Sequence, residues 1–303
     1  MLFDKISRIC FFLQILTNIR IKWPGFKFFF FKNLKKIRRF TEKFIRLQTR
    51  KVSVMKIIIN PTYQHLTKFI ESLPQIFEHQ GNSIYKARNE IKTFVIDGTT
   101  INVKSYQKPI LINRIAYTFF RKTKAERAYE YAFELIKRGI NTPTPIAYIE
   151  IKTNGLLNKS FFVSLHTPLE GNLRLFGDED RTLGGREELV DAFAKFSAEI
   201  HSKGVLHIDY SPGNILYEKK NNEYHFSLID INRMKFKEVG IVEGCSNFAR
   251  MIGNVLFFER IAKIYARERG FEYEECRSLM LKYRTIDRKK RAKKDLIKKK
   301  LKS

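Results

Sequence analysis

The segment His207-Ile208-Asp209-Tyr210-Ser211-Pro212-Gly213-Asn214 places an imidazole, a carboxylate and an amide within eight residues, and Leu228-Ile229-Asp230 adds a second carboxylate one strand pair later. Residues of these types suit phosphoryl transfer. Moving a γ-phosphoryl group asks little covalent work of a protein; it needs a divalent cation on the phosphates and a carboxylate that orients the attacking hydroxyl. Mg²⁺ takes oxygen ligands and usually keeps several waters, so one Asn and one Asp suffice beside nucleotide phosphates. A loop Asp with an Asn five residues on can set a base and a metal ligand around one pocket, and an Asp closing the neighbouring strand can reach the same metal. Taken singly, each residue reads better as a turn cap or a strand end. Taken together, in the order helix, loop, strand pair and Asp, they read as a site.

The flanking patterns supply the elements that must hold them. Arg186–Lys203 repeats Leu189, Phe193, Phe196 and Ile200 at helical spacing and stops at Gly204. Strands are expected at Ile215–Glu218 and Tyr224–Ile229, which bring Asp230 back toward the loop. Upstream, Ile84–Ala87, Ile91–Ile96 and Thr100–Tyr106 read as three antiparallel strands, joined by the turn Arg88-Asn89-Glu90 and by Asp97-Gly98. Lys124–Arg138 reads as a helix ending at Gly139. The prolines at 143 and 145 force an extended link, and two further strands, Ala147–Lys152 and Lys159–Leu165, follow. From about Ser246 the chain reads as helical. Five strands with one helix, then a mostly helical half, is an α+β order. No internal repeat is visible.

The 303 residues can bury a sizeable core, but their net charge of +27 is uneven. Residues 1–54 carry 14 Lys/Arg against Asp4 and Glu42, and residues 282–303 carry 12 against Asp287 and Asp295. An ordinary globular middle lies between two basic ends, whose expected partner is an anionic surface. The first end is also rich in phenylalanine, Phe28–Phe31 included. It reads either as an amphipathic segment on an anionic membrane, with Trp23 at the interface, or as upstream sequence in front of a start at Met55. Three scattered cysteines argue against a disulfide framework and for a reducing compartment. No run is apolar for long enough to span a bilayer, so a cytoplasmic location is expected.

His-x-Asp-x₄-Asn followed by Ile-Asp resembles the catalytic loop and metal-binding Asp of the protein-kinase-like superfamily. The resemblance implies a two-lobed fold: a five-stranded antiparallel N-lobe with one helix over residues 55–165, and a mostly helical C-lobe over 166–303. It implies ATP as phosphate donor, Asp209 as catalytic base, Asn214 and Asp230 as ligands of Mg²⁺, and His207 as a structural brace. Lys104, on the third strand with Ile101 and Val103 on the opposite face, takes the place of the lysine that grips phosphates. The chain departs from the pattern in three respects. The phosphate-covering turn Ala87-Arg88-Asn89-Glu90 has no glycine, so either Asn89 adopts the turn geometry or Arg88 replaces backbone contacts. The helix position expected to offer Lys104 a glutamate falls near Ala128, leaving Glu130 or Glu126. Ile231-Asn232-Arg233 stands where Phe-Gly would follow the metal Asp, and with no Ala-Pro-Glu downstream an activation loop switched by phosphorylation is not expected.

Ile91-Lys92-Thr93-Phe94, Val103-Lys104-Ser105-Tyr106, Phe119–Ala125, the Gly-Ile-x-Thr-Pro-x-Pro run at 139–145 and His-Ile-Asp-Tyr-Ser-Pro-Gly-Asn-Ile-Leu together resemble the lipopolysaccharide kinases, in particular the branch acting on Kdo (3-deoxy-D-manno-octulosonic acid). This resemblance covers roughly residues 55–255. It implies phosphorylation of a sugar hydroxyl on Kdo-lipid A, peripheral to the cytoplasmic face of the inner membrane, with the basic ends on anionic lipid. An atypical (RIO-like) protein kinase and an aminoglycoside-type phosphotransferase would use the same machinery on another acceptor. A non-catalytic basic scaffold on membrane or RNA is the remaining alternative. No nucleic-acid partner is expected, since no RNA or DNA module lies between the basic ends.

Overall fold

Alternation of side chains across strands builds the first half of the chain. In a computed structural model, the described residues are 52–168, 171–176 and 183–300; most of the Phe-rich basic segment therefore lies outside the described residues. Residues 54–152 and 156–303 form one compact unit, which contains both lobes.

Among the described residues the N-lobe sheet has six strands, in the order β1-β5-β6-β4-β3-β2. They are β1 (Ser53–Ile59), β2 (Asn82–Lys86), β3 (Glu90–Ile96), β4 (Thr99–Tyr106), β5 (Pro145–Thr153) and β6 (Leu156–Leu165). β3 pairs antiparallel with β2 and β4, and β4 with β6, so that Lys104 stands opposite Ile91 on one side and Phe162 on the other. The five expected strands are all present. The sixth, β1, begins two residues before Met55.

The one-helix expectation for this lobe is corrected to three: α1 (Thr67–Ile76), α2 (Leu111–Phe119) and α3 (Lys124–Lys137). The periodic signal for α1 was there to read, in Ile70, Leu73 and Phe77. These residues cover Ile101 and Val103 of β4 and Phe161 and Val163 of β6, an apolar face that one helix on the opposite side would have left wet. α1 is closed by Lys92 on β3, only 7% exposed, whose Nζ donates to the carbonyls of Phe77 (2.6 Å) and Gln80 (3.1 Å). A buried ammonium on the orphan carbonyls of a helix end satisfies them and complements the negative end of the dipole. α2 lies on β6, held by Arg114 Nε on the Leu157 carbonyl (2.7 Å) and by Leu157 N–H on Thr118 Oγ1 (3.0 Å). α3 starts at an N-cap, Thr123, that accepts from Glu126 N–H, and ends before Gly139 at φ +67°.

The C-lobe is organised by α4 (Glu187–Ser202), α5 (Ile241–Asn247), α6 (Val255–Arg269) and α7 (Tyr273–Lys300). Two small antiparallel sheets carry the loops between them: β7 (Gly171–Asn172), β9 (Ile215–Lys220) and β10 (Glu223–Leu228) in the order β10-β9-β7, and β8 (Val205–His207) with β11 (Met234–Phe236). The buried face of α4 presents Leu189, Val190, Phe193, Ala194 and Ile200 to a core that includes Phe248, Phe257, Ile261 and Tyr265. Helical structure starts at Ile241, earlier than the expected Ser246, and the basic run from Lys282 continues α7, whose first turns bury Cys276 and Met280.

Candidate active site

The catalytic-loop segment is anchored from below before any polar group is placed. Tyr210 is fully buried; its hydroxyl lies 2.7 Å from Ser197 Oγ of α4, and its ring stacks on Phe193. With that ring in the core, the flanking residues Asp209 and Ser211 are turned outward. A Cβ at Gly213 would meet the Arg174 guanidinium at 2.5 Å, so the end of that flexible side chain would have to shift to admit one.

His207 is also fully buried, and its two ring nitrogens are both used. Nδ1 accepts from Asp209 N–H (3.1 Å), so Nε2 carries the proton and donates to the Ile229 carbonyl (3.1 Å). Burial pushes its pKa below the ordinary value despite the Ile229 hydrogen bond and the nearby carboxylates of Asp230 and Asp209. The ring thus stays neutral and ties the start of the loop to the end of β10. Its carbonyl accepts from Asn247 Nδ2 (2.9 Å). Asn247 Oδ1 in turn lies 3.1 Å from Nε2 of His201, whose Nδ1 is 2.9 Å from Tyr265 Oη. His201 is held near pKa 4 by complete burial, against the raising effect of the Asn247 hydrogen bond.

Asn214 Nδ2 donates to the Asp209 carbonyl (2.9 Å), which commits the amide nitrogen and leaves Oδ1 as the acceptor able to meet a cation. Asp230 adopts φ +54°, a left-handed conformation that Asp tolerates better than most residues. Its Oδ1 accepts from Lys104 Nζ (2.6 Å) and Asn232 Nδ2 (2.5 Å). Burial works to raise the Asp230 pKa, but the charge and hydrogen bond of Lys104 prevail and hold it below the usual carboxylate range. Lys104, Asp209, Asn214 and Asp230 therefore belong to one constellation, with His207 as its brace. An Asp carboxylate and an Asn amide oxygen are the oxygen donors a Mg²⁺ completed by nucleotide phosphates would use. Among the described residues there is no cluster of three or more His, Cys, Asp or Glu that could hold a metal ion.

The sequence profile of the lipopolysaccharide kinase (Kdo/WaaP) family matches residues 86–259, more than half of the chain and all four of these residues. The chain belongs to the lipopolysaccharide kinase (Kdo/WaaP) family. It is accordingly a kinase, a phosphotransferase acting on a sugar hydroxyl with ATP as donor. Among solved structures, WaaP in complex with acyl carrier protein is similar with a TM-score of 0.54 at 17% identity, over 77% of this chain and 98% of that one. A Rio2 kinase–ADP/Mg²⁺–phosphoaspartate complex from Chaetomium thermophilum matches with a TM-score of 0.39 at 13% identity, over 73% and 67%. Comparison with curated protein sequences gives no match.

Other expected residues of this lipopolysaccharide kinase fall differently. Glu130 is paired with Lys122 (2.6 Å), and Glu126 lies 3.6 Å from Lys56 and 3.4 Å from Tyr148 Oη, so the structure brings neither to Lys104. The partner of Lys104 is Asp230 itself. Asn89 does not take up a left-handed turn; its Oδ1 accepts from Gln107 N–H (3.2 Å) and stitches the β2–β3 turn to the end of β4. Arg88 is exposed at the same turn.

Three cations escaped the sequence reading. Lys124, at the first turn of α3, lies with its Nζ 5.9 Å from the Tyr106 ring centroid, while Lys104 approaches the same ring at 5.5 Å. Burial and then the charge of Arg88 lower the Lys124 pKa. A lysine at a helix N-terminus opposes the dipole. Arg233 and Arg250 both reach Asp209: Arg233 Nη1 lies 3.0 Å from Oδ2 and 3.2 Å from Oδ1, and Arg250 Nη1 contacts Oδ1. Their only sequence signal was position, Arg233 three residues after Asp230 and Arg250 in a stretch read simply as helix.

Proposed function

We propose that the chain transfers the γ-phosphoryl group of ATP to a hydroxyl of Kdo in the lipopolysaccharide inner core, with Kdo-lipid A as acceptor. The observation that carries this reading is the convergence of Lys104, Asp209, Asn214 and Asp230 around a loop braced by a neutral His207. The Kdo branch itself rests on the family and on the sequence segments that resemble that branch.

Each residue then has a task its environment fits. Asn214 Oδ1 and the Asp230 carboxylate would hold Mg²⁺, which supplies charge neutralisation of the phosphates. Lys104 and Lys124 sit on the phosphate side, where compact ammonium charges suit non-bridging oxygens. Asp209 accepts the hydrogen bond of the acceptor hydroxyl, orients its oxygen for in-line attack and takes its proton as the new bond forms. Arg88 and Asn89, on the β2–β3 turn, would cover the phosphates by side chain and by a stapled turn, in place of a flexible glycine loop.

No described helix is long and apolar enough to cross a membrane. We place the enzyme at the cytoplasmic surface of the inner membrane, drawn there by the basic ends of the chain; the Lys- and Arg-rich exposed part of α7 is the described portion of them. Polybasic segments gain about 1 kcal/mol per Lys/Arg close to anionic lipid.

The deciding assay is ATP consumption by the full chain with Kdo-lipid A, with lipid A lacking Kdo, and with a basic protein, each in Mg²⁺ and in chelator. Phosphate transfer to Kdo-lipid A alone, and only with the metal, is expected. Transfer to the basic protein instead would assign the machinery to protein phosphorylation.

A further inference from the structure

Asp209, the residue assigned as base, has both carboxylate oxygens engaged by arginines. Arg233 bridges Oδ1 and Oδ2, and Arg250 adds a second contact on Oδ1. Two guanidinium groups around one carboxylate leave this corner of the site with a net positive charge and more N–H donors than the carboxylate can satisfy. Neither arginine is a core residue: their side chains are 55% and 42% exposed, whereas that of Asp209 is 22% exposed. Their main chains, by contrast, are well fixed. The Arg233 carbonyl accepts from Ile208 N–H (2.9 Å), between buried Asn232 and Met234. Arg250 closes the short turn begun by the fully buried Phe248, next to the Asn247 that holds the His207 carbonyl.

Exposed guanidinium heads on fixed backbones, turned onto a base that must accept a hydroxyl, are surplus to holding that base. Asp209 is already positioned by the Tyr210 anchor and by its own N–H and C=O bonds to His207 and Asn214. We infer that Arg233 and Arg250 are the receptor for an anionic group of the acceptor, and that without acceptor the same guanidinium groups occupy the Asp209 carboxylate. The inference rests on the reading of Asp209 as base. An arriving carboxylate or phosphate takes over the guanidinium N–H donors bidentately, which frees an Asp209 oxygen for the neighbouring hydroxyl. The hydroxyl oxygen then bonds to the γ-phosphorus, the bond from that phosphorus to the β–γ bridging oxygen breaks, and the hydroxyl proton passes to Asp209. An acceptor without the anion leaves the base covered. The device thus selects acidic sugars over neutral ones.

The test uses the full chain with Arg233→Met, Arg250→Met and the Arg250→Lys variant, all checked for an unchanged melting temperature. Three acceptors separate the possible anions: Kdo-lipid A, its Kdo carboxylate methyl ester, and Kdo-lipid A stripped of its lipid phosphates. The wild type should lose at least tenfold in kcat/KM with one of the two neutralised acceptors, and which one identifies the anion. In Arg250→Met the KM for intact acceptor should rise at least tenfold with ATP affinity unchanged, and the preference over the neutralised acceptor should vanish. A fall in kcat alone, with KM and the preference intact, would show that the arginines only orient Asp209 and overturn the inference. If the wild type phosphorylates no sugar acceptor, the Kdo reading fails separately. Equilibrium binding of free Kdo then decides: loss in the Met variants supports the receptor, and equal binding in all proteins overturns it.

Discussion

Lys104 and Asp230, 126 residues apart in the chain, are joined by a 2.6 Å ion pair. The pair links β4 to the end of β10 and sets Lys104, proposed to bind phosphates, directly on a proposed metal ligand. Under the proposed function the pair would open when nucleotide binds, leaving Lys104 to meet phosphate oxygens and the Asp230 carboxylate to hold the cation. Replacing Lys104 with Met should therefore weaken ATP binding by about tenfold, or about 1.4 kcal/mol, while the fold is kept. Fluorescent nucleotide titration reads this directly. An unchanged ATP dissociation constant would take Lys104 out of the nucleotide site.

The metal assignment has its own signature. ATP binding by the wild type should fall sharply in chelator, whereas Asp230→Ala should bind nucleotide weakly and with little dependence on Mg²⁺ or Mn²⁺. Isothermal titration in both conditions checks it. Equal metal dependence in wild type and variant would mean that Asp230 serves only to hold Lys104.

Two buried histidines make stability depend on pH. His201 is held near pKa 4 and His207 is also depressed, each below the ordinary unfolded value of about 6.5. A folded pKa below the unfolded one means that the unfolded chain takes up the proton first. The stabilisation is therefore complete above about pH 6.5 and is lost as pH falls below it, for His201 down to about pH 4, at up to about 1.4 kcal/mol per pH unit for each histidine while it titrates. Chemical denaturation at pH 7.5, 6.5 and 5.5 should show this slope, and His201→Gln should reduce it. A flat profile across that range would contradict the neutral-histidine brace.

Much of this site was legible because its residues are contiguous. The loop from His207 to Asn214 and the Asp closing β10 keep fixed spacing, and the periods of β3, β4, α3 and α4 surround them with readable elements. What was not legible depends on contacts between distant segments. The partner of Lys104 is decided by where α3 sits relative to β4, and here α3 puts Glu126 beside Lys56 and Glu130 beside Lys122. Arg250 reaches Asp209 from 41 residues away, a relation with no local pattern. α1 has an interrupted signal: it follows a proline-led turn and carries Pro74 inside it, so its apolar period is decided by the sheet face it covers.

Lys92 offers a test of that missed packing. Its buried ammonium satisfies carbonyls at the end of α1, so Lys92→Met removes the donor and leaves those carbonyls dry. The expected loss is about 2 kcal/mol, which for a domain of this size lowers the melting temperature by several degrees, with ATP affinity preserved. An unaltered melting temperature would show that α1 is held without it.

Asp209→Asn addresses the central claim most directly. The substitution keeps the size and most of the hydrogen bonding of the side chain while removing its charge and basicity. If Asp209 orients the acceptor hydroxyl and takes its proton, phosphate transfer to Kdo-lipid A by the full chain should fall by about 10²–10⁴-fold, with ATP affinity within about threefold of wild type and the melting temperature unchanged. Turnover close to wild type in the folded Asn variant would contradict the account, because it would leave the carboxylate no part in the transfer.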